Sequence, residues 1–173
     1  MNVIKNRGEQ LIKILQQSEG PVTGSELSQK LKVSRQIIVQ DVALLRAAGM
    51  EVLATPQGYM LLKQDKLPDK RAVVAVQHSP DQTEAELFIL VDNGLKVIDV
   101  IVEHPLYGEL RGYLMLQCRA DVQSFMGRLK SEGATLLSEL TGGVHLHTVE
   151  YENAVNLRQA KDELDRQGLI IKN

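Results

Sequence analysis

The sequence predicts an α+β protein of two modules, a winged helix-turn-helix followed by a domain of mixed sheet and helix. Three observations carry this. The first fifty residues read as helix, short helix, tight turn and helix, and two short apolar runs around Thr55-Pro56-Gln57-Gly58 follow. The stretch Lys63-Gln64-Asp65-Lys66-Leu67-Pro68-Asp69-Lys70 is polar and carries a proline, as a linker does. Beyond it, strand-like apolar runs alternate with amphipathic helical ones. The expected boundaries are residues 1–64 for the first module and 69–173 for the second.

Element by element, residues 3–17 place Leu11, Ile12, Ile14 and Leu15 at helical spacing, and Ser18-Glu19-Gly20-Pro21 ends the helix. Thr23-Gly24-Ser25 opens a short helix with Leu27 and Leu31 one turn apart. After Lys32-Val33, Ser34 is a good N-cap for a third helix running to about Ala48. Ile38, Val42 and Leu45 form its apolar stripe, and Gly49 suits the position past its end. With that stripe inward, Arg35, Gln36 and Gln40 lie toward the other side. Arg can read guanine edges and Gln adenine edges in the major groove, and Lys32 and Ser34 can hold phosphates. Residues 51–54 and 59–62 flank a Pro/Gly turn and read as the wing hairpin. A small three-helix bundle that binds protein is the alternative, and it leaves the wing unexplained.

In the second module, 72–76 is a buried-type strand ending at Gln77-His78. A helix capped by Ser79 or Asp81 follows from about Gln82 to Val91, closed by Asn93-Gly94. Residues 95–102 and 112–116 read as strands around a loop shaped by Pro105 and Gly108. Residues 120–131 form a helix with Val122, Phe125, Met126 and Leu129 inward, and 134–137 a short strand or extended segment. Gly142-Gly143 turns the chain into a strand holding His145 and His147, a helix spans 153–167, and 169–171 is a last short strand. This makes a mostly antiparallel sheet with helices crossing one face.

Composition narrows the chemistry. Aromatic residues are 3% with no Trp, so the cores must be aliphatic. Cys118 is the single cysteine, which excludes an internal disulfide and a cysteine metal cluster. The amino terminus lacks a signal-peptide pattern and no apolar run approaches a membrane span, so the expected location is cytoplasmic, with no membrane partner. Net charge is −2, unevenly spread. Up to Lys66 there are nine Lys and Arg against six Asp and Glu; the rest of the chain has eleven against sixteen. A basic front and an acidic back suit different partners.

The sharpest chemical signal is Val144-His145-Leu146-His147-Thr148-Val149. In a strand, side chains two apart share a face, so two of the chain's four histidines project together and can share a metal ion. The plain alternative is two polar residues on the solvated face of an edge strand. His78 at a strand end and Glu86 in the following helix could approach the same strand, giving three imidazoles and a carboxylate, a ligand set for zinc, nickel or a similar divalent ion. His78 alone reads as a polar strand end, and Glu86 alone as a solvated helix face with Glu84 as rival. In His104-Pro105-Leu106-Tyr107-Gly108-Glu109-Leu110-Arg111, the groups of His104, Tyr107 and Arg111 are those that recognise a small planar acid, against the alternative of an ordinary hairpin loop.

These motifs, His78, His104-Pro105-Leu106-Tyr107-Gly108 and Gly142-Gly143-Val144-His145-Leu146-His147, behind a front carrying Val33-Ser34-Arg35-Gln36-Ile37-Ile38-Val39-Gln40-Asp41, resemble bacterial regulators with a winged helix and a C-terminal 3H domain. The resemblance covers essentially the whole chain. It implies a nicotinate-responsive repressor of the NiaR type, acting on NAD biosynthesis or niacin uptake genes, with nicotinic acid as co-repressor. It further implies an HPr-like α/β sandwich for the second domain, a metal held by His78, Glu86, His145 and His147, and a homodimer. A dimer reading half-sites one helical turn apart predicts a palindromic operator. Two other readings stay open. One is a metal sensor; the other is a small metalloenzyme, which leaves the winged helix without a role and lacks a Ser/His/Asp set or a Gly-rich phosphate loop.

Overall fold

A computed structural model of the chain describes residues 3–62 and 70–171. Most of the expected linker, and with it both expected domain boundaries, lies outside these. The chain divides into two compact units, Met1–Asp65 and Lys66–Asn173.

The first unit holds α1 (Val3–Gln17), α2 (Gly24–Leu31), α3 (Arg35–Ala47), β1 (Val52–Thr55) and β2 (Gly58–Leu61). Local chemistry sets each boundary. Thr23 and Glu26 form a reciprocal capping box at the start of α2. Lys32 ends it in the left-handed conformation (φ 54°). The Ser34 hydroxyl accepts from the Ile37 N–H and caps α3. Leu11, Leu15, Val22, Leu27, Ile38, Val42 and Val52 are buried together, so the apolar stripes of all three helices meet. The wing gains an isolated bridge that the sequence did not announce. Val22 and Tyr59 exchange two backbone hydrogen bonds of 2.8 Å. Gly58 makes this possible: at φ 130° a Cβ would run into the Val22 carbonyl.

The second unit holds β3 (Arg71–Gln77), α4 (Thr83–Asp92), β4 (Lys96–His104), β5 (Gly108–Leu116), α5 (Arg119–Ser131), β6 (Val144–Glu150) and α6 (Ala154–Arg166). Its sheet runs β3-β6-β4-β5, every pairing antiparallel. The His145 strand is therefore interior, not an edge. Within β6, Val149 shares a face with His145 and His147, and opposite them on β3 stand Val74 and Val76. Val74, Val76 and Val149 are buried with Leu87 and Leu90 of α4 and Leu164 of α6. The two histidines thus face the helices, not solvent.

Three sequence expectations change. Of the two expectations for residues 134–137, the strand is not formed; Leu136 is extended and leads into a 3-10 turn, Leu137–Thr141, packed against β4 and β6. Among the described residues, 169–171 form an isolated bridge, Ile170 to Val76, in place of a strand, and the Gln77 and Ile171 N–H groups still pair this segment along β3. The expected loop at 104–111 is a tight hairpin, because Gly108 through Arg111 already belong to β5.

Candidate metal centre

His78 follows β3, Glu86 lies in α4, and His145 and His147 lie in β6. The 3-10 turn Pro80–Gln82 reverses the chain after His78, so α4 returns over the sheet and sets Glu86 above the two strand histidines. All four side chains are buried, Glu86 completely. His78 Nε2 is 2.6 Å from Glu86 Oε2, and His145 Nε2 is 3.3 Å from the same oxygen. His147 Nε2 is 2.8 Å from the other oxygen, Oε1. Candidate ligand atoms of His78, Glu86 and His145 all fall within 4.8 Å of one another, and His147 closes the group from the Oε1 side.

The outer nitrogens decide what the inner ones can do. His78 Nδ1 donates to the Ser79 carbonyl at 2.8 Å, His145 Nδ1 to the Gly143 carbonyl at 2.8 Å, and His147 Nδ1 to the Asp99 carbonyl at 2.7 Å. A carbonyl only accepts, so each Nδ1 carries a proton. In a neutral ring each Nε2 is then a lone pair aimed at a carboxylate. Four acceptors crowded in a dry site need a positive charge among them. That charge is either a metal ion or protons on the rings. Glu86 Oε1 and His147 Nε2 pair with each other at 2.8 Å, and neither has a further hydrogen-bond partner. Buried, convergent ligand atoms of this kind fit a transition-metal ion.

The charges respond accordingly. Burial works against charge on each ring, but the Glu86 carboxylate outweighs it and raises His78 and His147 above the usual histidine value. Burial would raise the Glu86 carboxyl; the imidazoles of His147, His145 and His78 outweigh it and hold Glu86 well below the usual carboxylate range.

The other candidate residues lie elsewhere. His104 Nδ1 accepts from the N–H groups of Leu106 and Tyr107, and so caps its own turn. Its ring lies 5.0 Å from that of Tyr107, which is 72% exposed. Arg111 is engaged by Asp99 at 3.0 Å and Glu109 at 2.9 Å. A groove of about 570 Å³ is lined by Glu84, Met126 and Lys130 among others; none of the four centre residues, nor His104, Tyr107 or Arg111, lines it. The sequence reading missed Asp99, a buried carboxylate whose main-chain carbonyl orients His147. A lone Asp inside an apolar strand run was its only signal.

In the first unit, Lys32, Ser34, Arg35, Gln36 and Gln40 are all exposed, while Ile38 and Val42 are buried. The amino-terminal end of α3 is therefore exposed and polar. A winged helix-turn-helix presenting such a helix is built for the major groove, and the protein falls among the DNA-binding transcription regulators. Residues 7–60 match the family model of an HTH domain, and residues 71–173 that of the 3H domain. The chain is 41% identical over 169 residues to the transcription repressor NadR of Bacillus subtilis (strain 168), covering 96% of this chain and 94% of that protein. It is 39% identical over 170 residues to the probable transcription repressor NiaR of Thermotoga maritima, covering 98% and 96%. The chain belongs to this NadR/NiaR family of transcription repressors, and it is a DNA-binding protein rather than an enzyme. No helix among the described residues is long and apolar enough to cross a membrane.

Proposed function

We propose that this repressor carries a divalent transition metal, nickel or zinc, on His78, Glu86, His145 and His147, and that nicotinic acid is its co-repressor. The observation that carries the metal is the convergence of three Nε2 lone pairs on one buried carboxylate, each ring held by an outer hydrogen bond to a carbonyl. The ion supplies the positive charge that this cluster needs, and it ties β6, α4 and the end of β3 together. Nicotinic acid enters through the family resemblance and through His104, Tyr107 and Arg111, which offer a ring surface and a guanidinium to a planar carboxylate. Lys32, Ser34, Arg35, Gln36 and Gln40 are the proposed DNA contacts. A homodimer reading a palindromic operator is the expected working form. The residues 1–64 and 69–173 are its two functional modules.

An effector acts only by favouring one conformation over another. The decisive experiment is an operator-binding titration with nicotinic acid, on metal-loaded and chelator-stripped protein. Tighter operator binding on adding nicotinic acid to the loaded protein supports the proposal. A second reading, a metal sensor, is favoured by the burial of all four centre residues, whereas Tyr107 is exposed and His104 caps its own turn. It wins if operator affinity follows the metal and ignores nicotinic acid.

A further inference from the structure

One ring of the proposed metal centre is held from β4. His147 Nδ1 donates to the main-chain carbonyl of Asp99. The Asp99 side chain, fully buried, accepts from the Thr148 N–H at 2.9 Å with Oδ1 and from the Arg111 guanidinium at 3.0 Å with Oδ2. Both pairings of β4 shift register here, against β5 between Val97 and Asp99 and against β6 between Val97 and Ile101. On β5 the neighbouring Met115 takes a left-handed backbone (φ 52°) to accommodate the shift. A bulge has lost its regular ladder bonds, so its shape rests on whatever replaces them. Here the replacement is the Asp99 carboxylate, tied to the β6 backbone on one oxygen and to Arg111 on the other.

We infer that Arg111 and Asp99 form a positioning pair that sets how tightly the centre holds its metal, by fixing the bulge whose carbonyl orients His147. The inference rests on the metal reading above. Removing the guanidinium leaves a buried carboxylate without its cation, and the bulge rearranges to solvate it. The Asp99 carbonyl moves with the bulge, and the His147 ring loses its fixed tautomer and direction. His78 and His145 donate their outer hydrogen bonds to the Ser79 and Gly143 carbonyls, so they are untouched. Arg111 is partly exposed and shared with Glu109, so an anion arriving from solvent reaches the same guanidinium. Whatever draws Arg111 away from Asp99 loosens His147.

The test uses full-length wild type, Arg111→Met, Arg111→Lys and Asp99→Asn. Nickel and zinc affinities are measured by competition with a chromophoric chelator, and the histidine ring signals of the metal-free proteins are read by long-range proton–nitrogen NMR. Arg111→Met should weaken metal binding by about 10- to 100-fold. Its His147 Nδ1 signal should shift or exchange away while those of His78 and His145 stay in place. Arg111→Lys should recover part of the affinity, and Asp99→Asn should resemble Arg111→Met. Identical binding curves and an unmoved His147 signal in Arg111→Met overturn the positioning pair alone. A wild-type protein that binds neither ion overturns the metal reading and this inference with it.

Discussion

The backbone of Gly143 lies against the backbone of His78, so closely that a Cβ on Gly143 would overlap the His78 carbonyl. Gly143 also has φ 94°, a conformation that disfavours side chains, and its own carbonyl orients His145. One glycine therefore spaces two of the four centre residues. Gly143→Ala should lower metal content and destabilise the second unit by about 1–3 kcal/mol, the usual cost of a strained backbone position. Gly142, also at positive φ but with open space beside it, gives the control. Gly142→Ala should lose stability from its backbone while keeping metal. Elemental analysis of the two purified variants checks this, and equal metal content in both would contradict it.

Much of this centre was legible in the sequence because it is built from short-range rules. The alternation of β6 puts His145 and His147 on one face, and a strand, turn and helix bring Glu86 back near His78. What was not legible depends on pairing order. That β6 lies between β3 and β4, not at an edge, is a long-range fact no local pattern carries. The role of Asp99 follows from that order, since only adjacency of β4 and β6 brings its carbonyl to His147. Residues 134–137 misled for a different reason. Ala-Thr-Leu-Leu has the composition of a strand, but among the described residues it joins no strand pairing and leads into a 3-10 turn. In the first unit, the helices were readable from their caps and stripes, whereas the Val22–Tyr59 bridge, between residues far apart in the chain, was not.

The metal-free and metal-loaded proteins should respond to pH with opposite signs. In the metal-free protein, His78 and His147 hold protons above their usual 6.5. The stability this contributes is complete below that value and is lost as pH rises through the raised folded values. Glu86 is held well below its usual 4.5, so its contribution is present above that value and lost as pH falls through the lowered one. The metal-free domain is thus favoured by this cluster in the mildly acidic window between the two usual values. A bound metal must displace the ring protons, so its stabilisation grows as pH rises through the histidine range. Melting curves from about pH 5 to 8, with chelator and with added nickel or zinc, should diverge toward the alkaline end. Parallel curves would show that the ion does not compete with these protons.

Arg7 and Asp41 tie α1 to α3 through a two-pronged ion pair, with Nε to Oδ2 at 2.5 Å and Nη2 to Oδ1 at 2.8 Å. Asp41 is buried, and Arg7 lies only partly open to water. Arg7→Met keeps the aliphatic stem but strands a buried carboxylate. It should destabilise the first unit, as leaving a buried carboxylate without its partner generally does. Arg7→Met with Asp41→Leu replaces both partners and should recover most of that loss. Urea unfolding of the single and double variants measures it; a double variant no better than the single one would mean the pair contributes little beyond its packing.

Arg35 opens α3 immediately after the Ser34 cap and is exposed, while Ile38 and Val42 further along are buried. That placement is where a recognition helix meets base edges, and a guanidinium there pairs with the two acceptors of guanine. In the proposed reading Ser34 and Lys32, next to it, contact phosphates, which carry no base information. Arg35→Ala should therefore weaken operator binding by about 1–3 kcal/mol and flatten the preference at one base pair of each half-site. Lys32→Ala should weaken all sequences alike and reduce the salt dependence of binding. Because Arg35 is exposed and outside the core, neither effect should come with loss of the fold, which melting curves verify. Binding measured across a set of operators with single base-pair changes separates the two residues. An Arg35→Ala profile that keeps the wild-type preference at every position would move base reading to Gln36 and Gln40.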